Sequence, residues 1–281
     1  MRPNRLFAAA IIFAAGLFLS PFTLYGENAG TASDNSGIIY LNALFSDGQY
    51  EDILYFDETI SAPDSSSAKR QYTAYVFYLK GKAAENLFRR EDAVYYYRQV
   101  KTVEQGLNAD NRLLTLLSDI SLTALLLNAG EKEAAVEAVS EIILLKKNLP
   151  AMTAAFYRCY NIEPPSEEKI NSRIEETLSP YFVTVKFGNT ELLMTTWSPG
   201  SVNGKPGILI VYQEGLFRVI SNQIFATQQE ARNYGNTAMK KAAGLTFIIK
   251  TYGSSQYGVQ FGAYENLYSA YKKAAYLEDR F

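Results

Sequence analysis

The spacing of apolar residues changes along this chain. A continuous apolar run, Leu6 to Leu19, comes first; helical spacing then holds from Gly37 to Leu178, and from Tyr181 the period shortens to two. In the helical region three stretches share one grammar: a helix, a short turn of small or charged residues, and a second helix that opens with acids. They run from Leu44 to Ile53, from Gly81 to Ala93 and from Leu126 to Ala135. Ile53, Ala93 and Ala135 occupy corresponding positions, 40 and 42 residues apart, a period in the solenoid range. Two further helices are expected at Ala151–Asn161 and Ser166–Leu178, parted by Glu163-Pro164-Pro165.

The two-residue period predicts strands. Phe182–Phe187 and Thr190–Trp197 flank Gly188-Asn189, a hairpin signal. Ile208–Tyr212 and Leu216–Ile220 pair around Gln213-Glu214-Gly215. A helix follows from Ala226 to Ala243, capped by Thr227 and ended by Gly244. Then come a strand at Leu245–Thr251, a short link at Gly253–Gln256, a strand in which Val259 and Phe261 alternate with Gly258, Gln260 and Gly262, and a closing helix. The fold expected is α+β: an all-α solenoid of helical hairpins (37–178), then a small antiparallel-sheet domain (179–281).

Composition narrows the chemistry. The chain has no histidine and one cysteine, Cys159. That removes Ser-His-Asp and Cys-His nucleophilic sites and most zinc sites, and no cofactor is implied. A net charge of −2 provides no field for nucleic acid. Arg2 and Arg5 precede the 14-residue apolar run, the order of a secretory signal (1–26) that a polar linker (27–36) follows. Cleavage fits after Gly26 or after Ala32. The other reading is an uncleaved anchor extending to Tyr25, although Pro21 and Thr23 interrupt it; membrane contact is expected only in that case. Either way the remainder is exported, to the periplasm or bacterial cell envelope.

The second helical stretch resembles a tetratricopeptide repeat. Gly81, Ala84, Ala93 and Tyr97 stand where that family places small residues for close helix contact and an aromatic to fill the gap. Thr123 takes the small position of the third stretch; Leu41 stands there in the first. The resemblance implies a concave surface for a protein partner, and a closed supporting bundle stays open beside it. Of Tyr95, Tyr96 and Tyr97, the last is expected in the core, while Tyr95 or Tyr96 is a candidate contact residue.

Toward the end, Tyr257-Gly-Val-Gln-Phe-Gly-Ala-Tyr264-Glu-Asn266 followed by Ala270 resembles the opening of a SPOR domain, a family that binds bacterial peptidoglycan. Its second half is resembled by Phe217-Arg218-Val219, Phe225-Ala226-Thr227, Glu230-Ala231, Gly244 and Phe247-Ile248, which come earlier in the chain. Asn222-Gln223-Ile224 replaces the family's usual Gly-Pro. The resemblance implies a ferredoxin-like βαββαβ sheet whose halves are circularly permuted. A truncated half completed by dimer exchange, or a βαββ fold that only echoes SPOR, are the alternatives. Parity sends Phe217, Val219, Val259 and Phe261 toward the helices and leaves Leu216, Arg218, Ile220 and Gln260 on an open face. The resemblance carries a glycan site onto Gln260, Ala263 and Arg218, with Leu216 and Ile220 beside them. Gln260 suits hydroxyls and acetamides, and Arg218 suits a carboxylate. Trp197 is expected to be packed.

The leading expectation is therefore a non-catalytic envelope protein that binds peptidoglycan glycan strands through its sheet and an unidentified envelope protein through its helices, in cell division or wall remodelling. The alternative is an envelope scaffold with protein-only binding. A glycan hydrolase would need paired carboxylates across a cleft, and Glu214, Glu230 and Glu265 carry no pairing signal.

Overall fold

The computed structural model describes residues 36–57, 59, 66–187, 190–196, 207–253 and 255–280. The expected signal segment, the linker up to Asn35, the Gly188-Asn189 turn and Trp197 lie outside the described residues. Helices come first: α1 (Ser36–Ser46), α2 (Tyr50–Tyr55), α3 (Ser66–Asn86), α4 (Arg90–Glu104), α5 (Leu113–Asn128), α6 (Lys132–Leu145), α7 (Leu149–Tyr160) and α8 (Glu167–Leu178). The sheet region follows: β1 (Phe182–Phe187), β2 (Thr190–Thr195), β3 (Ile208–Gln213), β4 (Leu216–Ser221), α9 (Gln228–Lys241), β5 (Ile248–Tyr252), β6 (Gln256–Tyr264) and α10 (Leu267–Glu278).

The three turns aligned in the sequence are one structure repeated. In each, the N–H of Gln49, Arg89 or Glu131 reaches back to the carbonyl of Leu44, Ala84 or Leu126 at 2.8–2.9 Å. The preceding residue, Gly48, Phe88 or Gly130, is left-handed, with φ of +74°, +58° and +77°. This is the Schellman ending of a helix, which uses otherwise orphaned carbonyls. The next helix then begins in the same register, with Ile53, Ala93 and Ala135 donating to Gln49, Arg89 and Glu131. Within the α3–α4 hairpin, Ala84, Ala93 and Tyr97 are fully buried, and the Tyr97 hydroxyl donates to Glu85. Tyr95 is exposed, and Tyr96 stacks on Phe77.

The chain divides into two compact units. Among the described residues, one holds those up to Ser118 together with Asn148–Glu167; the other holds Asp119–Lys147 and those from Glu168 onward. This grouping crosses the 178/179 boundary read from the sequence and falls inside α5. In the first unit α7 returns onto α3: Tyr160 donates to the Gln71 carbonyl at 2.8 Å, and the rings of Tyr75, Phe156 and Tyr160 cluster. Contacts 88 and 89 positions apart thus close this unit, beyond those of neighbouring hairpins.

In the second unit all neighbouring strands are antiparallel, in the order β1-β2-β3-β4-β6-β5. A βαββαβ ferredoxin-like sheet sets its strands in the order fourth, first, third, second. Here β5, β6, β4 and β3 take those places, each helix following the strand that the permuted connection requires. The β1–β2 hairpin extends this four-stranded core beyond β3. One sheet face packs Ile208, Ile210, Phe217, Val219, Val259 and Phe261 against Ala231 and Ala238 of α9 and Ala270 and Ala274 of α10. Val136 and Val139 of α6 join the same cluster, which is why α6 groups with the sheet. The helix α9 opens with a capping box between Thr227 and Glu230.

Candidate ligand-binding face

The opposite face holds the residues predicted for glycan. The parity reading holds: Leu209, Val211 and Ile220 point away from the helices, as a separate apolar cluster with Phe187, Leu192 and Tyr252. What differs from expectation is access. Ile220 is fully buried, Arg218 is 7% exposed and Gln260 is 4% exposed, so the face is not open. The cause is the β1–β2 hairpin. A long twisted sheet coils, and this one curls until Phe187 on β1 stands edge-on to Tyr252 on β5, with ring centroids 4.8 Å apart. Those strands are the two ends of the sheet. Gly258 lets the rings approach, because a Cβ there would lie 2.7 Å from Tyr252 and 3.2 Å from Phe187.

A β-bulge brings the site residues into line. Plain alternation would put Gln260 and Ala263 on opposite faces. Instead Ile220 pairs with Gln260, Val219 with Gly262 and Arg218 with Ala263, so β6 carries one extra residue at Phe261. Gln260 and Ala263 therefore share the face of Ile220 and Arg218. Ala263 is exposed at its rim. Leu216, half-buried near the β3–β4 turn, lines a separate groove of about 740 Å³ with Ile143, Leu178 and Phe182.

Arg218 is the polar centre. Its Nη1 donates to Gln260 Oε1 at 3.3 Å, and its Nη2 donates to Glu214 Oε2 at 2.6 Å. Its Nε is buried and has no hydrogen-bond partner among the described residues. Glu214 reaches it from the β3–β4 turn. Glu214 and Gly215 have φ of +54° and +78°, a two-residue turn of the type that suits tight hairpins, where the sequence suggested three residues. The Glu214 side chain remains 70% exposed while that of Arg218 is 9% exposed. Burial pushes the Tyr252 phenol up to about 12, with Arg218 pulling the other way.

Sequence reasoning grouped Arg218 with Gln260 and missed Glu214, Tyr252 and Phe187. One signal was present: a carboxylate four residues before an arginine, across a Glu-Gly turn. Chemically the cluster offers a guanidinium edge, an amide and a phenol in a low-dielectric setting, a set that suits a carboxylate with neighbouring hydroxyls. Among the described residues no group of three His, Cys, Asp or Glu side chains is placed to hold a metal ion. No helix among them is long and apolar enough to cross a membrane. Compared with family models, with curated proteins and with solved structures, the chain matches none.

Proposed function

We propose that this protein is a non-catalytic, exported envelope protein whose sheet-bearing unit is a permuted, SPOR-like module for peptidoglycan glycan strands. Its helical hairpins bind a protein partner, which the module brings to the septal or remodelled wall. The observation that carries the reading is the pairing of Arg218 with Gln260 on adjacent central strands, on the helix-free face of a sheet in permuted βαββαβ order. Gln260 addresses hydroxyl and acetamido groups, and Arg218 a lactyl carboxylate. Two of the carboxylates in this unit have structural duties: Glu214 is tied to Arg218, and Glu230 closes the Thr227 capping box.

A second reading has its own observation. Because Arg218 and Gln260 are almost fully buried, a scaffold that binds only protein is consistent with the closed face. Co-sedimentation of the purified protein with sacculi, before and after amidase removal of stem peptides, separates the two. Binding that rises on stripped sacculi and falls in Gln260→Ala and Arg218→Ala supports the glycan reading. Absence of binding by folded protein removes it, and release of muropeptides would make the protein an enzyme.

A further inference from the structure

We infer that the β1–β2 hairpin is a gate over the Arg218–Gln260 face and must swing away before a carboxylate-bearing glycan can enter; this rests on the glycan reading above. Three observations carry it. First, the hairpin is what buries the site. Phe187 and Leu192 sit in the same cluster as Ile220 and Tyr252, and Val185 and Met194 pack against it. Without the hairpin, the β3-β4-β6-β5 sheet would present that face to solvent.

Second, the hairpin is weakly tied to the sheet. Among the described residues its register with β3 consists of Leu193–Tyr212 and Met194–Val211, whereas β3 and β4 are paired along their whole length from Ile208–Ser221 to Gln213–Leu216. Its own two strands are fully paired from Phe182–Thr195 to Phe187–Thr190. It can therefore leave as one piece, at the loss of that short ladder and of the apolar contacts of Phe187 and Leu192, in the manner of a locally opening segment. Third, the covered guanidinium is held by an internal carboxylate. Glu214 lies mostly in solvent and occupies one edge of Arg218, while Nε remains without a partner. An incoming carboxylate that displaced Glu214 would find both Nε and an Nη free to receive it in two-pronged fashion.

The consequence is a site that binds in proportion to the population of its open form, since the apparent dissociation constant is the intrinsic one divided by that fraction. The test is a reversible staple placed outside the site. Leu193→Cys with Tyr212→Cys, in a Cys159→Ser background, joins a directly opposed antiparallel pair, a spacing that accepts a disulfide. Binding to amidase-stripped sacculi is measured with the staple oxidised and reduced, alongside Phe187→Ala, which removes the ring that meets Tyr252. The gate predicts at least tenfold weaker binding when the staple is oxidised, wild-type binding when it is reduced, and severalfold tighter binding for Phe187→Ala. Equal binding by oxidised and reduced forms overturns the gate and leaves the glycan reading intact. No binding by any form, Phe187→Ala included, overturns both.

Discussion

A Cβ placed on Gly81 would lie 2.6 Å from the ring of Tyr97. The two residues hold α3 and α4 together at a distance that no other side chain at position 81 allows. In an exposed helix interior, replacing Gly with Ala normally stabilises by about 1 kcal/mol. Here the sign should reverse. The Tyr97 ring is fully buried and its hydroxyl is bonded to Glu85, so it has nowhere to move. Gly81→Ala should cost on the order of 2 kcal/mol, measured as a loss of unfolding midpoint in urea, and a gain in midpoint would refute the close contact.

The repeated Schellman turns give a second test, because two carry Gly at the left-handed position and one carries Phe. Phe88 is 93% exposed, so burial contributes little to offset its backbone. Phe88→Gly should leave the α3–α4 hairpin as stable or more stable by up to about 1 kcal/mol. Gly130→Ala, whose added Cβ would meet nothing within 4 Å, should lose about 1 kcal/mol through backbone strain alone. Thermal unfolding of both variants reads the difference in sign.

Glu104 makes the helical unit sensitive to pH. Its carboxylate accepts from the Thr115 N–H at 2.8 Å and the Thr115 hydroxyl at 2.7 Å, yet it is only 2% exposed. Burial pushes its pKa from the ordinary 4.5 up to about 7, against the pull of Thr115 and Arg112. Cys159 and Tyr160 share its surroundings; burial raises the pKa of both, and the Glu104 charge adds to it. A carboxyl with a raised folded pKa favours the folded state while protonated. Its contribution is therefore full below about pH 4.5 and is lost as pH rises through 7. At about 1.4 kcal/mol per unit, the rise from 4.5 to about 7 makes the loss roughly 3 kcal/mol. Glu104→Gln should gain that much at pH 8 and almost nothing at pH 4, as read by urea unfolding at the two values.

The Arg218–Gln260 pair is open to a double-mutant cycle. Gln260→Leu strands a buried guanidinium N–H and should destabilise by about 1–3 kcal/mol. Arg218→Met strands the amide oxygen instead. The double variant, with neither polar group buried, should be less destabilised than the two single costs added together. Strict additivity would mean that the 3.3 Å contact carries no coupling.

Much of this architecture was legible in the sequence because it is local. The equivalence of Ile53, Ala93 and Ala135 follows from turn chemistry, the Thr227 cap from a threonine at the head of the helix, and the direction of Val219 and Phe261 from alternation. What escaped was non-local. The predicted open face assumed a half-buried sheet, yet Ile208-Leu209-Ile210-Val211 is an unbroken apolar run with all four residues buried. Such a run marks a strand covered on both sides, and it was the one sign that something lay over the site. The curl that brings Phe187 to Tyr252 joins residues 65 positions apart and leaves no mark on either segment. The bulge at Phe261 likewise depends on the register of β4 and is invisible within β6 itself.

The permuted order also has a consequence in time. A chain made from its N-terminus presents β3, β4, α9 and β5 before the strand that belongs between β4 and β5. Among the described residues β5 pairs only with β6, so until β6 arrives one side of β4 and all of β5 are bare. The sheet is thus a keystone arch assembled from both flanks, and its central stone is the last laid. Long-range pairing of this kind is slow and leaves strand edges exposed meanwhile.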